Sequence, residues 1–244
     1  MAKPEAKIEN IIAVLEKEFP ELKVKAGKSD PLDMLIATML SQNTTDKTSY
    51  RAFTNLKQDF KDWKAVMDAP LSKIRKSIKV CGLANQKSIN IKGLLKKLSK
   101  IDWKLSLRRL EKLSNKEIYS ELLQFNGVGV KTVSCVLAFS LGRDVFPVDT
   151  HVHRLANRLG LADAKTAEKT FSQLENKIPE GKKLLLHSLL IRFGRKVCRS
   201  NNPLCSKCSL YDMCEFNRKE YYAELGRLSG NIPKENNFII LEHV

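Results

Sequence analysis

The sequence contains no apolar stretch approaching the roughly 20 residues that a membrane-spanning helix needs, which excludes an α-helical membrane protein. Low-complexity tracts are also missing, so extended disorder is not expected over the 244 residues. No internal repeat of solenoid length occurs, and strand signals are nearly absent, which removes repeat scaffolds and β-rich folds. Acid is scarce as well. Asp and Glu number 27 against 43 Lys and Arg, leaving a net charge of +16. A surplus of that size implies a polyanionic partner, with nucleic acid ahead of a membrane surface.

The N-terminal stretch MAKPEAKIENIIAVLEKEF lacks the character of a secretion signal. Ile8, Ile11, Ile12, Leu15 and Phe19 follow helical spacing between charges, which predicts an amphipathic helix. The protein is expected inside a cell, in cytoplasm and nucleoid or in a nucleus, where thiols stay reduced.

Helical signals dominate what remains. In SDPLDMLIATMLSQN, Asp30 reads as an N-cap and Pro31 as the first helical residue. The run behind them is apolar on most faces and reads as a buried helix. Asp46 reads as the N-cap of KTSYRAFTNLKQ, and Pro70 punctuates the connection to the helix LSKIRKSIKV. NQKSINIKGLLKKLSK is amphipathic and basic; its Lys87, Lys92, Lys96 and Lys97 suit either phosphates or a solvated face. NKEIYSELLQF, VKTVSCVLAFSL, DTHVHRLANRLG, the stretch 164–178 and KKLLLHSLLIRFGRKVC complete a nearly all-α chain. NNFIILEHV fits a terminal strand or an ordered tail.

Two features carry chemistry. In FNGVGVKTVSC, Gly127 and Gly129 make a turn between two helices, and Lys131 falls at the start of the second. Exposed N–H groups at a helix start suit a phosphate oxygen, but they disfavour an ammonium. An amine placed there and partly buried is held towards its neutral, nucleophilic form, against a reference pKa of about 10.4. The second feature is Cys198, Cys205, Cys208 and Cys214, spaced C-x6-C-x2-C-x5-C in a loop-like stretch. Four thiolates in a reducing compartment imply a metal centre, with tetrahedral zinc and a [4Fe–4S] cluster equally compatible. Cys81 and Cys135 sit in apolar surroundings and read as core thiols.

The glycine hairpin with its lysine, PVDTHVHRLANRLG and the four-cysteine loop together resemble the endonuclease III family. These are helix-hairpin-helix DNA glycosylases with apurinic/apyrimidinic lyase activity, and the likeness runs from about Pro31 to Cys214. The resemblance implies an all-α fold of two helical domains. A central one would span 28–139, with the helix-hairpin-helix at about 115–141. A discontinuous cluster domain would comprise 1–27 and 140–216, followed by an extension, 217–244, of unassigned role. It also implies that Lys131 is the nucleophile and Asp149 the catalytic carboxylate. Gln42, Leu83 and His151 would enter the DNA around an extruded base, and Gly127 and Gly129 would grip phosphate. Cys198, Cys205, Cys208 and Cys214 would hold a [4Fe–4S] cluster. The implied partner is double-stranded DNA with damaged bases or abasic sites, bound by a monomer and away from membranes. The implied role is base excision repair of damaged, chiefly oxidised, pyrimidines.

The chain departs from that family in places. Its hairpin reads FNGVG where LPGVG is usual, and Ala84 stands where an aromatic is common. Two other readings compete: a mismatch-specific glycosylase of the same superfamily, and a non-catalytic cluster-bearing DNA-binding protein. The mismatch adenine enzymes carry a glutamate where Ala37 stands and lack the hairpin lysine, and the thymine-mismatch enzymes place tyrosine there. Lys131 and Ala37 therefore favour the lyase.

Overall fold

The computed structural model describes residues 4–24, 26–27 and 29–229. Twelve α-helices occur among them: α1 Pro4–Glu18, α2 Pro31–Ser41, α3 Asp46–Asp59, α4 Trp63–Asp68, α5 Leu71–Ser77, α6 Ala84–Ile101, α7 Asn115–Leu122, α8 Val130–Cys135, α9 Thr150–Arg158, α10 Ala167–Leu174, α11 Lys183–Lys196 and α12 Lys219–Ser229. No strand occurs among the described residues, as the all-α reading requires. No described helix is long and apolar enough to cross a membrane.

The chain divides into two compact units. One holds residues 26–143 and therefore α2 to α8. Its centre is α2. Asp30 caps this helix, accepting from Leu32 N at 2.9 Å and Asp33 N at 3.2 Å, and Pro31 needs no N–H partner in the first turn. Nearly every residue from Leu32 to Leu40 is buried, because α3, α6 and α8 surround the helix. Each such leucine or isoleucine contributes about 1.5–3 kcal/mol on burial. At the next helix the expected Asp46 cap is displaced by one residue. Thr45 is the N-cap and its hydroxyl accepts from Thr48 N, leaving Asp46 in the first turn, where a carboxylate still complements the dipole. Helix α8 ends in a buried π-turn, Val136–Ser140.

The other unit holds residues 4–24 and 144–229. Here α1 and α9 pack on α11, with Ile8, Ile11, Leu155, Leu186 and Phe193 fully or almost fully buried. Beyond the last cysteine, in a stretch with no sequence motif, Lys219–Ser229 forms α12. This helix packs on a 3-10 turn at Cys205–Lys207, where a Cβ added to Gly226 would lie 2.5 Å from Ser206 Oγ. The stretch NNFIILEHV lies outside the described residues.

Candidate functional site

The hairpin is built by two short helices. A capping box starts α7: Ser114 accepts from Glu117 N, and Glu117 accepts in return from Ser114 N at 2.7 Å. The chain then turns through Gly127, whose φ of +81° suits glycine, and Val128 N closes the turn on Phe125 O at 3.1 Å. Gly129 begins α8 with no side chain capping it, and a Cβ there would meet nothing within 4 Å. Backbone and open space are thus presented together. Lys131, the second residue of α8, is half-buried, and its amine makes no hydrogen bond or ion pair among the described residues.

Two further arms of the same unit reach this hairpin or flank it. Gln42, at the end of α2, is exposed and donates from Nε2 to Gly127 O at 2.8 Å. Beside Gly127 lies Asn90 of α6, whose Nδ2 would be 2.5 Å from any Cβ at that glycine. Gln86 Nε2 donates to Asn90 Oδ1 at 2.9 Å, which orients the Asn90 amide beside the turn. Leu83 precedes α6 in a left-handed conformation, φ 48° and ψ 27°, with 58% of its surface exposed. That is an unfavourable backbone for leucine and an unfavourable place for an apolar side chain. Both costs are borne at a residue expected to enter DNA.

The basic face of α6 differs from its sequence reading. Lys87 is 5% exposed, and its amine donates to Leu40 O at 2.7 Å, Cys81 O at 3.1 Å and Cys81 Sγ at 3.7 Å. Lys92 Nζ donates to Ala69 O. Both amines are already engaged by backbone carbonyls, whereas Lys96 and Lys97 are exposed. The thiols of Cys81 and Cys135 are buried, and neither is in a disulfide.

In the other unit, Asp149 is the N-cap of α9, and its Oδ1 accepts from Val152 N at 2.8 Å. The segment leading to it is pinned by buried His187, whose Nδ1 lies 2.7 Å from Pro147 O. A carbonyl only accepts, so this nitrogen carries the proton. His151, half-buried in the first turn of α9, has its Nδ1 3.1 Å from Arg154 Nη2. Arg154 also donates to Gly194 O at 3.0 Å and to Cys198 O at 2.9 Å, joining the histidine to the start of the cysteine loop.

That loop brings Cys198, Cys205, Cys208 and Cys214 around one cavity, also lined by Arg158 and Lys219. Burial and the neighbouring thiols push Cys205 up to about 11 and Cys208 up to about 12. Burial raises Cys214 too. Four thiols gathered on one cavity supply soft ligands for a cation, whose charge would favour their thiolate forms. Among the described residues no three His, Cys, Asp or Glu side chains converge as a single ion requires. Arg158 Nη1 donates to Cys198 Sγ at 3.3 Å, and its guanidinium lies 4.2 Å from the Phe216 ring centroid. Lys219 of α12 donates to Cys214 O at 2.8 Å and Tyr211 O at 3.2 Å, tying that helix to the loop.

Sequence reasoning did not single out Asn90, Arg154 or His187, and it assigned Lys87 to the surface. One signal was present: Lys87 is in phase with Ile91, Leu94 and Leu98, the buried stripe of α6.

Residues 36–180 match the HhH-GPD superfamily base excision DNA repair protein family. Endonuclease III of Thermotoga maritima is 31% identical over 220 residues, covering 89% of this chain and 97% of that protein. An Arabidopsis thaliana protein provisionally named a DNA glycosylase is 43% identical over 179 residues, which cover 72% of this chain but only 58% of the plant protein. Among solved structures, a trapped endonuclease III–DNA covalent intermediate superposes with a TM-score of 0.77 at 26% identity, over 91% of this chain and all of that one. The chain belongs to the endonuclease III family, within the HhH-GPD superfamily of base excision DNA repair proteins.

Proposed function

We propose that this chain is a bifunctional DNA glycosylase and abasic-site lyase that removes damaged, chiefly oxidised, pyrimidines, with Lys131 as nucleophile and Asp149 as the assisting carboxylate. The observation that carries the reading is Lys131 itself: a half-buried amine at an uncapped helix start, with no acid or acceptor engaging it among the described residues. A lysine kept for surface charge has no reason to occupy that position.

The chemistry follows from such an amine. The glycosidic carbon is shielded in a duplex, so the damaged nucleotide must first be extruded, at a cost of a few kcal/mol. Leu83 and Gln42 offset part of that cost by filling the space left in the stack. Lys131 Nζ then forms a bond to sugar C1′ while the C1′–N bond to the base breaks. The base leaves with the bonding electrons and takes up a proton. Loss of a proton from the amine and opening of the sugar ring give a Schiff base. This draws electrons from C2′ as a C2′ proton departs, and the C3′–O bond breaks, cutting the strand with phosphate as leaving group. Water releases the lysine. Asp149 stabilises positive charge developing on the sugar and relays protons to and from the amine. Gly127 and Gly129 allow close approach of the phosphate backbone, and His151 contacts the DNA from α9.

Cys198, Cys205, Cys208 and Cys214 would hold a [4Fe–4S] cluster, which when bound supplies a crosslink that organises the loop. The protein's own residues continue that work: Arg154 and Arg158 fasten the loop to α9, and Lys219 fastens it to α12.

Borohydride reduction tests the central step. With abasic-site DNA the wild type is expected to give a covalent protein–DNA adduct, which Lys131→Gln abolishes while DNA binding persists. An untrappable wild type sinks the lyase reading and leaves a binding protein.

A further inference from the structure

The two arms expected to enter DNA come from sequence positions 41 residues apart, yet one side chain holds both. Lys87 Nζ donates to Leu40 O and to Cys81 O. Leu40 stands two residues before Gln42, and Cys81 two residues before Leu83. We propose that Lys87 is a positioning residue for base extrusion, a buried strut that fixes the Gln42 arm and the Leu83 arm in register with each other. The proposal rests on the roles given above to those two residues.

Several observations support a strut over a chance burial. An ammonium has three donors, and three acceptors surround this one: two carbonyls and Cys81 Sγ at 3.7 Å. The cation has no carboxylate partner in these contacts, so its position is set by the arms' own backbone. Desolvation lowers the Lys87 pKa, while the Cys81 thiol, itself pushed up by burial, donates to Ile78 O at 3.1 Å. Evolutionarily simpler choices exist, since an apolar residue in phase with Ile91 and Leu94 would fill the same stripe without a desolvation cost. What an apolar residue cannot do is bridge two chain segments through their carbonyls. The Leu83 end of the bridge also stands in left-handed backbone, which requires support to persist. The Gln42 end continues into the hairpin through Gly127 O. Misplacing either arm by an ångström would weaken wedge and plug while leaving the Lys131 amine untouched.

The test separates extrusion from chemistry in the full-length, cluster-loaded protein. Base release is followed in single turnover on a duplex carrying thymine glycol paired with adenine. Borohydride trapping is followed on a single-stranded oligonucleotide with a preformed abasic site, where nothing has to be extruded. Lys87→Met is expected to slow the duplex reaction about tenfold or more, with trapping on the single strand changed less than twofold. In a Gln42→Ala/Leu83→Ala background, the same substitution should lose most of its effect, because the arms through which it acts are gone. If Lys87→Met does not fold, Lys87→Gln, with one amide for three acceptors, serves the same comparison. Equal losses on both substrates, full additivity with the arm mutations, or no loss at all would each overturn the proposal. A wild type that releases base but traps no DNA would refute the lysine mechanism instead, and the base-release comparison would still decide the role of Lys87.

Discussion

Leu83 concentrates two structural costs at a single residue. Its left-handed backbone costs about 1–2 kcal/mol for an L-residue, and the residue is 58% exposed. Neither cost has a folding benefit, since Lys87 and the start of α6 would accept glycine equally well. Leu83→Gly removes the strain and the exposed side chain together, while giving up some unfolded-state restriction. The variant is therefore expected to be at least as stable as the wild type by denaturant unfolding. Its excision of a paired damaged base should nevertheless fall, and a parallel loss of stability would show that Leu83 is a packing residue. At this scale the sequence was legible where a residue type conflicts with its position, as with a lysine at a helix start. It was not legible at Lys87, because basic residues crowd the whole of α6 and phase alone separates the buried one from the exposed ones.

At the scale of elements, α9 combines a fold signal with a chemical one. Asp149 caps the helix through Val152 N at 2.8 Å, so any loss of activity on its removal mixes two effects. Asparagine and aspartate cap about equally well, whereas alanine costs about 1 kcal/mol. Asp149→Asn is expected to retain thermal stability and lose most borohydride trapping, while Asp149→Ala loses both. If the asparagine variant traps normally, the carboxylate has no part in the chemistry. Helices with an unambiguous start were readable in sequence: Asp30 with Pro31 fixed α2, and the alternating charges of α1 fixed its buried face. The Thr45–Asp46 pair was misread by one residue because both types cap, and only geometry chooses between them. Helix α12 was invisible as a functional element, since its contact with the cysteine loop depends on Gly226 and Lys219 meeting residues that no periodicity links to them.

For the whole molecule, the net charge of +16 sets how strongly DNA binding responds to salt. Each phosphate neutralised by a lysine or arginine adds about 0.9 to the slope of log affinity against log salt. A chain with 43 basic residues offers many candidates, but an amine held on backbone carbonyls releases no counterions. Lys87 and Lys92 are such amines. Titrating an undamaged duplex, which requires no extrusion, at several salt concentrations should therefore give a steep wild-type slope that Lys92→Met leaves unchanged. Lys87→Met should leave it unchanged as well, even though excision of a paired damaged base slows. A fall of about 0.9 in the Lys92→Met slope would mean that this amine leaves Ala69 to meet a phosphate on binding. An unchanged slope places the electrostatic attraction on the exposed lysines and arginines, and separates the charge that brings DNA to the protein from the charge already engaged by backbone carbonyls.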